Sequence, residues 1–287
     1  VMAIWCIERA LDVLESLDDA ERKALRNRIF LEEDEIGRWR QLADGMTIPV
    51  LPNGVIEQFE GYGKLEELDW DAYRAKYENI GRLDRILKAE GDSPNRYKLS
   101  KQADLCMLFY LFDFEELAAL LDRVGYDLTE RKARETIAYY RQRTSHGSTL
   151  SHLVFGAILD VLDREAGWDH FIEALRSDVE DIQGGTTPEG IHTAVMAGTV
   201  RHVIDRFAGL RLTAEEISVT PRFPEALDGL RFAVRWRSGL VNIDVDRDRV
   251  VFTVPRGAES AVPVCVCGNE GRALPGESLT MSVPPIS

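Results

Sequence analysis

The sequence predicts a mainly α-helical protein that ends in a small antiparallel β module. In residues 1–208 apolar side chains recur every three to four positions, which is the period of an amphipathic helix. In residues 209–287 the period changes to two, as in Val241, Ile243 and Val245, which is typical of strands. Because the helical loops alternate between short and long, we expect paired helices wound into a barrel, followed by the β domain.

Composition excludes several classes of protein. Hydrophobic residues make up 45% of the 287 positions and aromatic residues 8%, which is sufficient for a packed core. A formal net charge of −14 disfavours binding to nucleic acid or to anionic membranes. With neither a membrane span nor a signal peptide in the sequence, we expect a cytoplasmic location. The four cysteines lack the partners of a metal site, so no metal is expected.

The N-terminal residues follow helical spacing from the first position. Ile4, Trp5, Leu11 and Leu14 share one face, and no capping residue and no methionine precede them at Val1. The pattern predicts that the chain begins inside a helix and is a fragment, or one piece of a longer protein.

Five segments have the clearest helical pattern, and the glycines and acidic residues between them predict where helices end. No strand pattern interrupts this region. The predicted helices cover 20–31, 114–124, 129–143, 150–166 and 168–182, and breaks are expected near Asp18, Glu32, Gly45, Gly91, Gly125, Gly167 and Gly184-Gly185.

The longest predicted loop covers residues 46–69 and contains the sequence Glu57-Gln58-Phe59-Glu60-Gly61-Tyr62. Its prolines and glycines rule out one regular helix. Carboxylates and amides flanked by Phe59 and Tyr62 are typical of a sugar subsite, because aromatic faces cover C–H surfaces while polar groups bind hydroxyls. The alternative is an ordered surface loop packed by its own aromatics.

Lys101, Gln102 and Asp104 lead into the apolar run 105–112. The run predicts a buried helix, and a charge and an amide at its mouth are costly unless a partner or a ligand satisfies them. Lys101 and Gln102 are therefore candidates for ligand binding. The alternative is that Lys101 pairs with Asp104 one turn away.

Residues 144–151 read Thr-Ser-His-Gly-Ser-Thr-Leu-Ser and precede an apolar helical run. Glycine lets the backbone approach a ligand, hydroxyls and imidazole donate hydrogen bonds, and a helix N-terminus favours anions. No acidic residue occurs between Glu135 and Asp160, although 49 of the 287 residues are acidic. The stretch predicts a phosphate site, with an ordinary Ser/Thr helix cap as the alternative.

The remaining segments give structural predictions. Thr187 and Pro188 read as an N-cap and the first residue of a helix, and Glu189 in that first turn is expected to be structural. In the β domain Asp246 to Arg249 form a polar turn, and further strands are expected around Val264 and Leu279. Nothing in the β domain indicates chemistry.

Four motifs together resemble glycoside hydrolase family 65, whose phosphorylases act on disaccharides such as trehalose, kojibiose, maltose and nigerose. They occur in the family's order, and the resemblance as a whole runs from Val1 through the β domain. They are QFEGY at 58–62, KQAD at 101–104, HGSTLS at 146–151 and EGIH at 189–192.

The resemblance implies the C-terminal part of an (α/α)6 barrel, followed by a small β-sandwich. It implies that Lys101 and Gln102, with Glu60, bind the glucosyl unit, and that His146, Gly147, Ser148 and Thr149 bind inorganic phosphate. It also implies that the general-acid glutamate lies upstream of Val1. No catalytic residue is then present, and the chain alone is expected to be inactive.

The implied reaction is inverting phosphorolysis to β-glucose 1-phosphate and a released sugar. Inverting glycosidases use a carboxylate to activate water, whereas phosphate carries its own charge and is repelled by a carboxylate. A pocket of hydroxyls and imidazole without an acid therefore fits phosphate. The alternatives are a hydrolase of the same family and a non-catalytic helical scaffold. The expected partners are a disaccharide and phosphate, with a homodimer as candidate assembly, no nucleic acid, no membrane and no cofactor.

Overall fold

The computed structural model describes residues 1–160, 162–182, 188, 190–237 and 239–285. The predicted break at Gly184-Gly185 and the predicted roles of Thr187 and Glu189 lie outside these residues. The chain divides into two compact units, residues 1–154 and residues 155–287. Within the described ranges no helix has the length and apolar character needed to cross a membrane.

Eleven α-helices and a π-helix are present in the described residues. Short 3-10 turns occur at Tyr62–Lys64 and Pro94–Arg96. The helices are α1 (Met2–Ser16), α2 (Asp19–Ile29), α3 (Glu33–Asp44), α4 (Trp70–Lys76), α5 (Leu83–Ala89), α6 (Met107–Leu111), α7 (Phe114–Asp122), α8 (Glu130–Arg141), α9 (Thr149–Leu159), α10 (Arg164–Arg176) and α11 (Thr193–His202), and the π-helix is Val203–Phe207.

Local hydrogen bonds explain several helix starts. Asp18 and Glu21 form a reciprocal capping box at α2, and the hydroxyl of Thr129 accepts from the backbone N–H of Lys132 at the start of α8. Helix α1 begins at Met2, and Val1 makes no side-chain cap. The predicted break at Asp18 and the predicted helix from residue 129 thus coincide with capping hydrogen bonds. Val1, where no capping residue was predicted, makes no such bond.

Two predictions about helices α9 and α10 are wrong. The predicted helix 150–166 ends at Leu159, and α10 begins at Arg164 with Asp163 as its cap. Gly167 lies inside α10 and does not break it. A Cβ atom on Gly167 would lie 2.7 Å from the backbone nitrogen of Asp160. Gly167 is therefore required for close packing between two segments, a use of glycine that leaves no periodic signal in the sequence.

The prediction of a buried helix over residues 105–112 is also wrong. Only Met107–Leu111 form a helix, and Phe112 follows in an extended conformation before Asp113 precedes α7. Cys106 and Phe112 are buried, whereas Leu111 is 50% exposed. The apolar run thus supplies two core residues, Cys106 and Phe112, with the short helix Met107–Leu111 between them.

The first unit has an apolar core built from helices that are distant in sequence. Ile4 of α1 packs with residues of α7, and Ile56 from the long loop joins the same cluster. A smaller cluster centres on Leu83 and Leu87 of α5 and Leu68. The first cluster thus holds Ile56 of the long loop, and Leu99, just before the Lys101 segment, packs against the second.

In its described residues the second unit contains eight strands in two four-stranded sheets. One sheet has the order β1-β2-β6-β7 and the other β3-β4-β5-β8. All described pairs are antiparallel except β2 with β6. The strands are β1 (Leu210–Leu212), β2 (Ile217–Val219), β3 (Gly229–Trp236), β4 (Gly239–Asp246), β5 (Arg249–Thr253), β6 (Val262–Val266), β7 (Asn269–Ala273) and β8 (Ser278–Ser282).

Inward-facing residues of both sheets share one core, as in a β-sandwich. Val219 and Val264 from one sheet join Ile243 and Phe252 from the other. Phe171 of α10 belongs to the same core. The second compact unit therefore includes helices as well as strands, and the predicted domain boundary at residue 208 stays a sequence-based prediction.

Candidate functional site

Backbone hydrogen bonds join the two segments that the sequence selected for sugar and phosphate binding. Ser100 N–H donates to the Arg143 carbonyl oxygen at 2.8 Å, and Ser145 N–H donates to the Ser100 carbonyl oxygen at 2.9 Å. Gly147 N–H then donates to the Lys101 carbonyl oxygen, also at 2.8 Å. The short ladder places Lys101 beside Gly147 although 46 positions separate them in the sequence.

Gly147 is required by this close approach. A Cβ atom there would lie 2.4 Å from the carbonyl oxygen of Gly81 and 3.0 Å from Cγ of Lys101. The Gly147 N–H is bound to the Lys101 carbonyl oxygen and is not a free donor for an anion. Gly147 therefore contributes space and loop position, and hydrogen bonds to a ligand must come from its neighbours.

The polar contacts of Lys101 and Gln102 do not include the ion pair between Lys101 and Asp104 that the sequence offered as an alternative. The Nζ of Lys101 lies 3.6 Å from a carboxylate oxygen of Asp84, and the Lys101 side chain is 48% exposed. The amide of Gln102 donates to Asp104 at 3.0 Å. Lys101 thus pairs with Asp84 and not with Asp104, and both predicted residues keep part of their surface accessible to a ligand.

The pKa of Asp84 is lowered. Burial alone would raise this pKa, but hydrogen bonds from Arg82 and the positive charges of Arg82 and Lys101 outweigh it. Asp84 is therefore ionised at neutral pH and holds the Lys101 side chain by charge. No motif or periodic pattern indicated this pairing, because Asp84 lies on helix α5 and Lys101 in a separate segment without helical structure.

Gln58 connects the long loop to the Lys101 segment. Its side-chain oxygen accepts from the Ser100 hydroxyl at 2.8 Å, and its amide nitrogen donates to Asp104 at 2.9 Å. Asp104 therefore accepts hydrogen bonds from both Gln58 and Gln102. Gln58 was part of the recognised motif, but its positioning role became apparent only from the structure.

The two carboxylates of the long loop have different roles. Glu57 accepts from the backbone N–H groups of Gly61 and Gly63 and so closes the loop on itself. Glu60, the residue selected for substrate binding, is exposed. This arrangement leaves the carboxylate of Glu60 directed to solvent, where it can accept hydrogen bonds from sugar hydroxyls.

The two aromatic residues of this loop also differ. Tyr62 is 1% exposed and packs against Tyr140, with ring centroids 5.7 Å apart. Phe59 packs edge-on against Tyr62 but remains 50% exposed. Tyr62 therefore anchors the loop in the core, as expected for an ordered loop that is packed by its own aromatics. Of the two rings, only that of Phe59 presents a face that can cover a sugar ring.

His146 has a left-handed backbone conformation, with φ of 55°. Such a conformation is uncommon for residues other than glycine and is concentrated at functional sites. Its Nδ1 lies 2.8 Å from the Ser151 hydroxyl, and its ring stacks on that of His152 at 4.9 Å. Ser151 on the first turn of α9 and the stacked ring together fix the imidazole orientation.

Ser148 and Thr149 differ in accessibility. Ser148 precedes α9 and is half-buried, and no hydrogen bond of its hydroxyl is seen with the described part of the chain. Thr149 is 1% exposed, and its hydroxyl has no partner among the described residues. Ser148 is thus the more accessible hydroxyl of the two, while the buried Thr149 hydroxyl still requires a hydrogen-bond partner.

Arg143 is close to the loop in sequence, but its charge is directed elsewhere. Its guanidinium contacts the Glu67 carboxylate at 3.1 Å and lies 3.7 Å from the centroid of the Tyr139 ring. Burial opposes ionisation of Glu67, but hydrogen bonds from Arg143 and Lys98 lower its pKa. Arg143 therefore stabilises the base of the loop, and its positive charge is largely offset.

These contacts define the kind of ligand that the candidate site can bind. A helical unit presents a lysine, an amide and an exposed carboxylate beside a loop of imidazole and hydroxyl groups that lacks an acidic residue. This is the composition of a site for a polyhydroxylated ligand together with an anion. Such groups are typical of sites that bind carbohydrates.

The chain belongs to glycosyl hydrolase family 65. The family's central catalytic domain matches residues 1–201, and its C-terminal domain matches residues 210–272. A solved structure described as a putative kojibiose phosphorylase from human microbiome shares the fold, with a TM-score of 0.70 over 98% of this chain at 20% identity. The predicted fold class, (α/α)6-barrel helices followed by a small β-sandwich, is confirmed.

Two related proteins illustrate the range of the family. An uncharacterized glycosyl hydrolase of Mycobacterium tuberculosis is 41% identical over 97% of this chain. A trehalose 6-phosphate phosphorylase of Lactococcus lactis is 36% identical over 86% of this chain. The matched regions are 21% and 30% of those proteins, and 36% of the solved structure. The chain therefore spans only about a fifth to a third of the length of its relatives.

Proposed function

We propose that this chain supplies the sugar-binding and phosphate-binding residues of an inverting disaccharide phosphorylase. The substrate is an α-glucosidic disaccharide of the trehalose, kojibiose, maltose or nigerose class, and the products are β-glucose 1-phosphate and a free sugar. The observation that carries the proposal is the hydrogen bond from Gly147 N–H to the Lys101 carbonyl oxygen, because it joins a sugar-binding segment to an anion-binding loop.

Each group has a role in this reaction. Lys101, Gln102 and Glu60 hold the glucosyl unit, while His146, Ser148 and Thr149 donate hydrogen bonds to phosphate. A phosphate oxygen attacks the anomeric carbon, the bond to the leaving oxygen breaks, and that oxygen takes a proton from a general acid. The family resemblance assigns that acid to a glutamate upstream of Val1, so the 287 residues alone are predicted to be inactive.

Two alternatives are less well supported. A hydrolase needs a carboxylate base near the attacking water, but no acidic residue occurs between Glu135 and Asp160. A non-catalytic scaffold does not require the convergence of Lys101 with the left-handed His146 and the close-packed Gly147. A cytoplasmic location, a homodimer and the lack of a cofactor other than phosphate stay predictions.

Product analysis with the full-length protein tests the proposal. Trehalose, kojibiose, maltose, nigerose and, because of the Lactococcus lactis relative, trehalose 6-phosphate are incubated with and without phosphate. We expect one substrate to give β-glucose 1-phosphate, detected by proton and phosphorus NMR, only when phosphate is present. Release of free glucose at the same rate without phosphate would establish hydrolysis and contradict the proposal.

A further inference from the structure

A polar cavity of about 310 Å³ opens in the second unit, between the π-helix and strands β1 and β2. This volume is at the lower end of the range of small-molecule sites, roughly 300–1,000 Å³. None of the residues that the proposed phosphorolysis uses contributes to it. The cavity is lined by Asp160, Asp205, Arg206, Gly209, Arg211, Thr220 and Arg222.

The walls of this cavity are fixed by backbone contacts. Thr220 N–H donates to the Gly209 carbonyl oxygen at 3.0 Å, and Arg222 N–H donates to the Phe207 carbonyl oxygen at 2.8 Å. Gly209 has φ of 64°, and a Cβ atom there would lie 1.9 Å from the Thr220 carbonyl oxygen. The cavity is therefore built into the fold and does not depend on the chance orientation of surface side chains.

The π-helix brings two charged residues to the cavity. Val203–Phe207 continue directly from α11, and Asp205 and Arg206 are consecutive residues within this wider turn. Segments of π-helix are rare and occur frequently at functional sites.

Asp160 is the most unusual residue of the lining. It is 6% exposed, and no hydrogen bond or ion pair of its carboxyl group is seen within the described ranges. A buried polar group without a partner is costly unless a ligand or water satisfies it. Burial raises the pKa of Asp160, although the charges of Arg164, Arg206 and Arg222 oppose the shift. The carboxyl group is available to exchange hydrogen bonds with a hydroxylated ligand.

The rest of the lining favours an anion. Arg206, Arg211 and Arg222 contribute three guanidinium groups, while Asp205 is paired with Arg201 at 2.6 Å. Three arginines thus line one cavity of a chain whose net charge is −14. Guanidinium groups suit phosphate because their planar donors match its oxygens.

We propose that this cavity is a binding site for a sugar phosphate, with the phosphate group on the arginines and a sugar hydroxyl on Asp160. The planar donors of the guanidinium groups suit the phosphate group, and the sugar hydroxyl supplies a partner for the buried carboxyl group of Asp160. The O–H group of an inorganic phosphate ion could reach Asp160 only by bringing the charge of the ion next to the carboxyl group, whereas a sugar hydroxyl is neutral. The site is thus expected to distinguish a phosphorylated sugar from phosphate and from the unphosphorylated sugar.

Binding of glucose 6-phosphate to the full-length protein tests this proposal, with inorganic phosphate and glucose as the other two probes. Isothermal titration calorimetry at constant ionic strength compares the wild type with Arg222→Gln and Asp160→Asn. The matched control is Arg235→Gln, because Arg235 is an exposed arginine of the same domain that does not line the cavity. Circular dichroism confirms that each variant is folded, and Arg211→Gln replaces Arg222→Gln if the latter is not.

We expect Arg222→Gln to weaken glucose 6-phosphate binding about tenfold to a hundredfold, as is typical for the loss of a charge-assisted hydrogen bond, and Arg235→Gln to leave it unchanged. In the wild type, glucose 6-phosphate should bind more tightly than phosphate, and Asp160→Asn should reduce this preference. Equal affinities of Arg222→Gln and Arg235→Gln would overturn the proposal. Loss of binding in Ser148→Ala instead would assign the ligand to the phosphate loop and also overturn it.

Discussion

Gln102 is half-buried, and among the described residues its side chain makes one hydrogen bond, to the exposed Asp104. Loss of one such contact changes stability by about 1 kcal/mol at most, whereas loss of a contact to the sugar in the transition state lowers activity directly. In the full-length enzyme Gln102→Ala should reduce kcat/KM for the disaccharide at least about tenfold, with the melting temperature nearly unchanged.

Gln41→Ala is the matched control for this prediction, because Gln41 is an exposed residue of α3. It should leave both kcat/KM and the melting temperature at wild-type values. A large fall in melting temperature for Gln102→Ala together with normal kinetics would assign Gln102 a purely structural role.

His202 gives a prediction about stability and pH. Its ring is 2% exposed, both ring nitrogens lack partners among the described residues, and Phe171 and Phe207 pack against it. Burial, with a smaller effect of Arg206, lowers the pKa of His202 to about 3. The unfolded chain binds a proton below the ordinary pKa of 6.5 while the folded protein does not, so stability is lost as the pH falls below that value.

For this one group the loss between pH 7.5 and pH 5 is about 2 kcal/mol. Urea denaturation at both pH values measures it in the wild type and in His202→Phe, which keeps an aromatic ring but cannot bind a proton. The variant should lose less stability on acidification than the wild type. Equal losses would show that His202 does not remain neutral in the folded protein.

At the scale of single elements, Gly167 connects packing with a failed sequence prediction. It lies within α10 close to the backbone of Asp160, so Gly167→Ala forces the two segments apart. Overpacking of this kind costs about 1–3 kcal/mol. By contrast, Gly37 lies in α3 with nothing within 4 Å of an added Cβ atom, and Gly37→Ala should stabilise the protein by about 0.5–1 kcal/mol.

Denaturation midpoints of the two variants provide a direct comparison, because the same chemical change is made in two helices. Opposite shifts are expected, downward for Gly167→Ala and upward for Gly37→Ala. A stabilised Gly167→Ala would show that α10 and the segment at Asp160 are less closely packed than the structure indicates.

Periodic patterns were sufficient to predict the helical region, several of its helices and the alternating strands β3, β4 and β5, because each pattern reflects one buried face of one element. The polar turn at Asp246 to Arg249 was also predicted, and it is held by backbone N–H groups that donate to Asp246. The ends of α9 and the length of α6 were not, because they depend on contacts with other segments. The parallel pairing of β2 with β6 has no local signal either.

The candidate site was predictable to a similar extent. The motifs contained Lys101, Gln102, Glu60 and the residues His146 to Thr149, and these assignments stay predictions. Periodicity could not reveal that Asp84 binds Lys101 or that the Gly147 N–H is already bound, since both depend on residues far apart in sequence. Family motifs thus selected the candidate residues, while the structure was needed to describe their contacts.

For the whole molecule, the central claim is that the loop at His146 to Thr149 selects phosphate over water as the nucleophile. The chain has a net charge of −14, so a phosphate site requires a local region without carboxylates. The half-buried Ser148 hydroxyl next to α9 is the most accessible hydroxyl donor in that region. Phosphate kinetics at Ser148 therefore address the claim most directly.

The decisive measurement is the Michaelis constant for phosphate in the full-length wild type, Ser148→Ala and the control Ser260→Ala, which alters an exposed serine of the β domain. We expect Ser148→Ala to raise this constant about tenfold to a hundredfold, as for the loss of a hydrogen bond to a charged group, while the constant for the disaccharide changes little. Ser148→Glu should suppress phosphorolysis by repulsion. If the phosphate dependence is the same in Ser148→Ala, His146→Ala and the wild type, the loop is only a helix cap and the central claim is wrong.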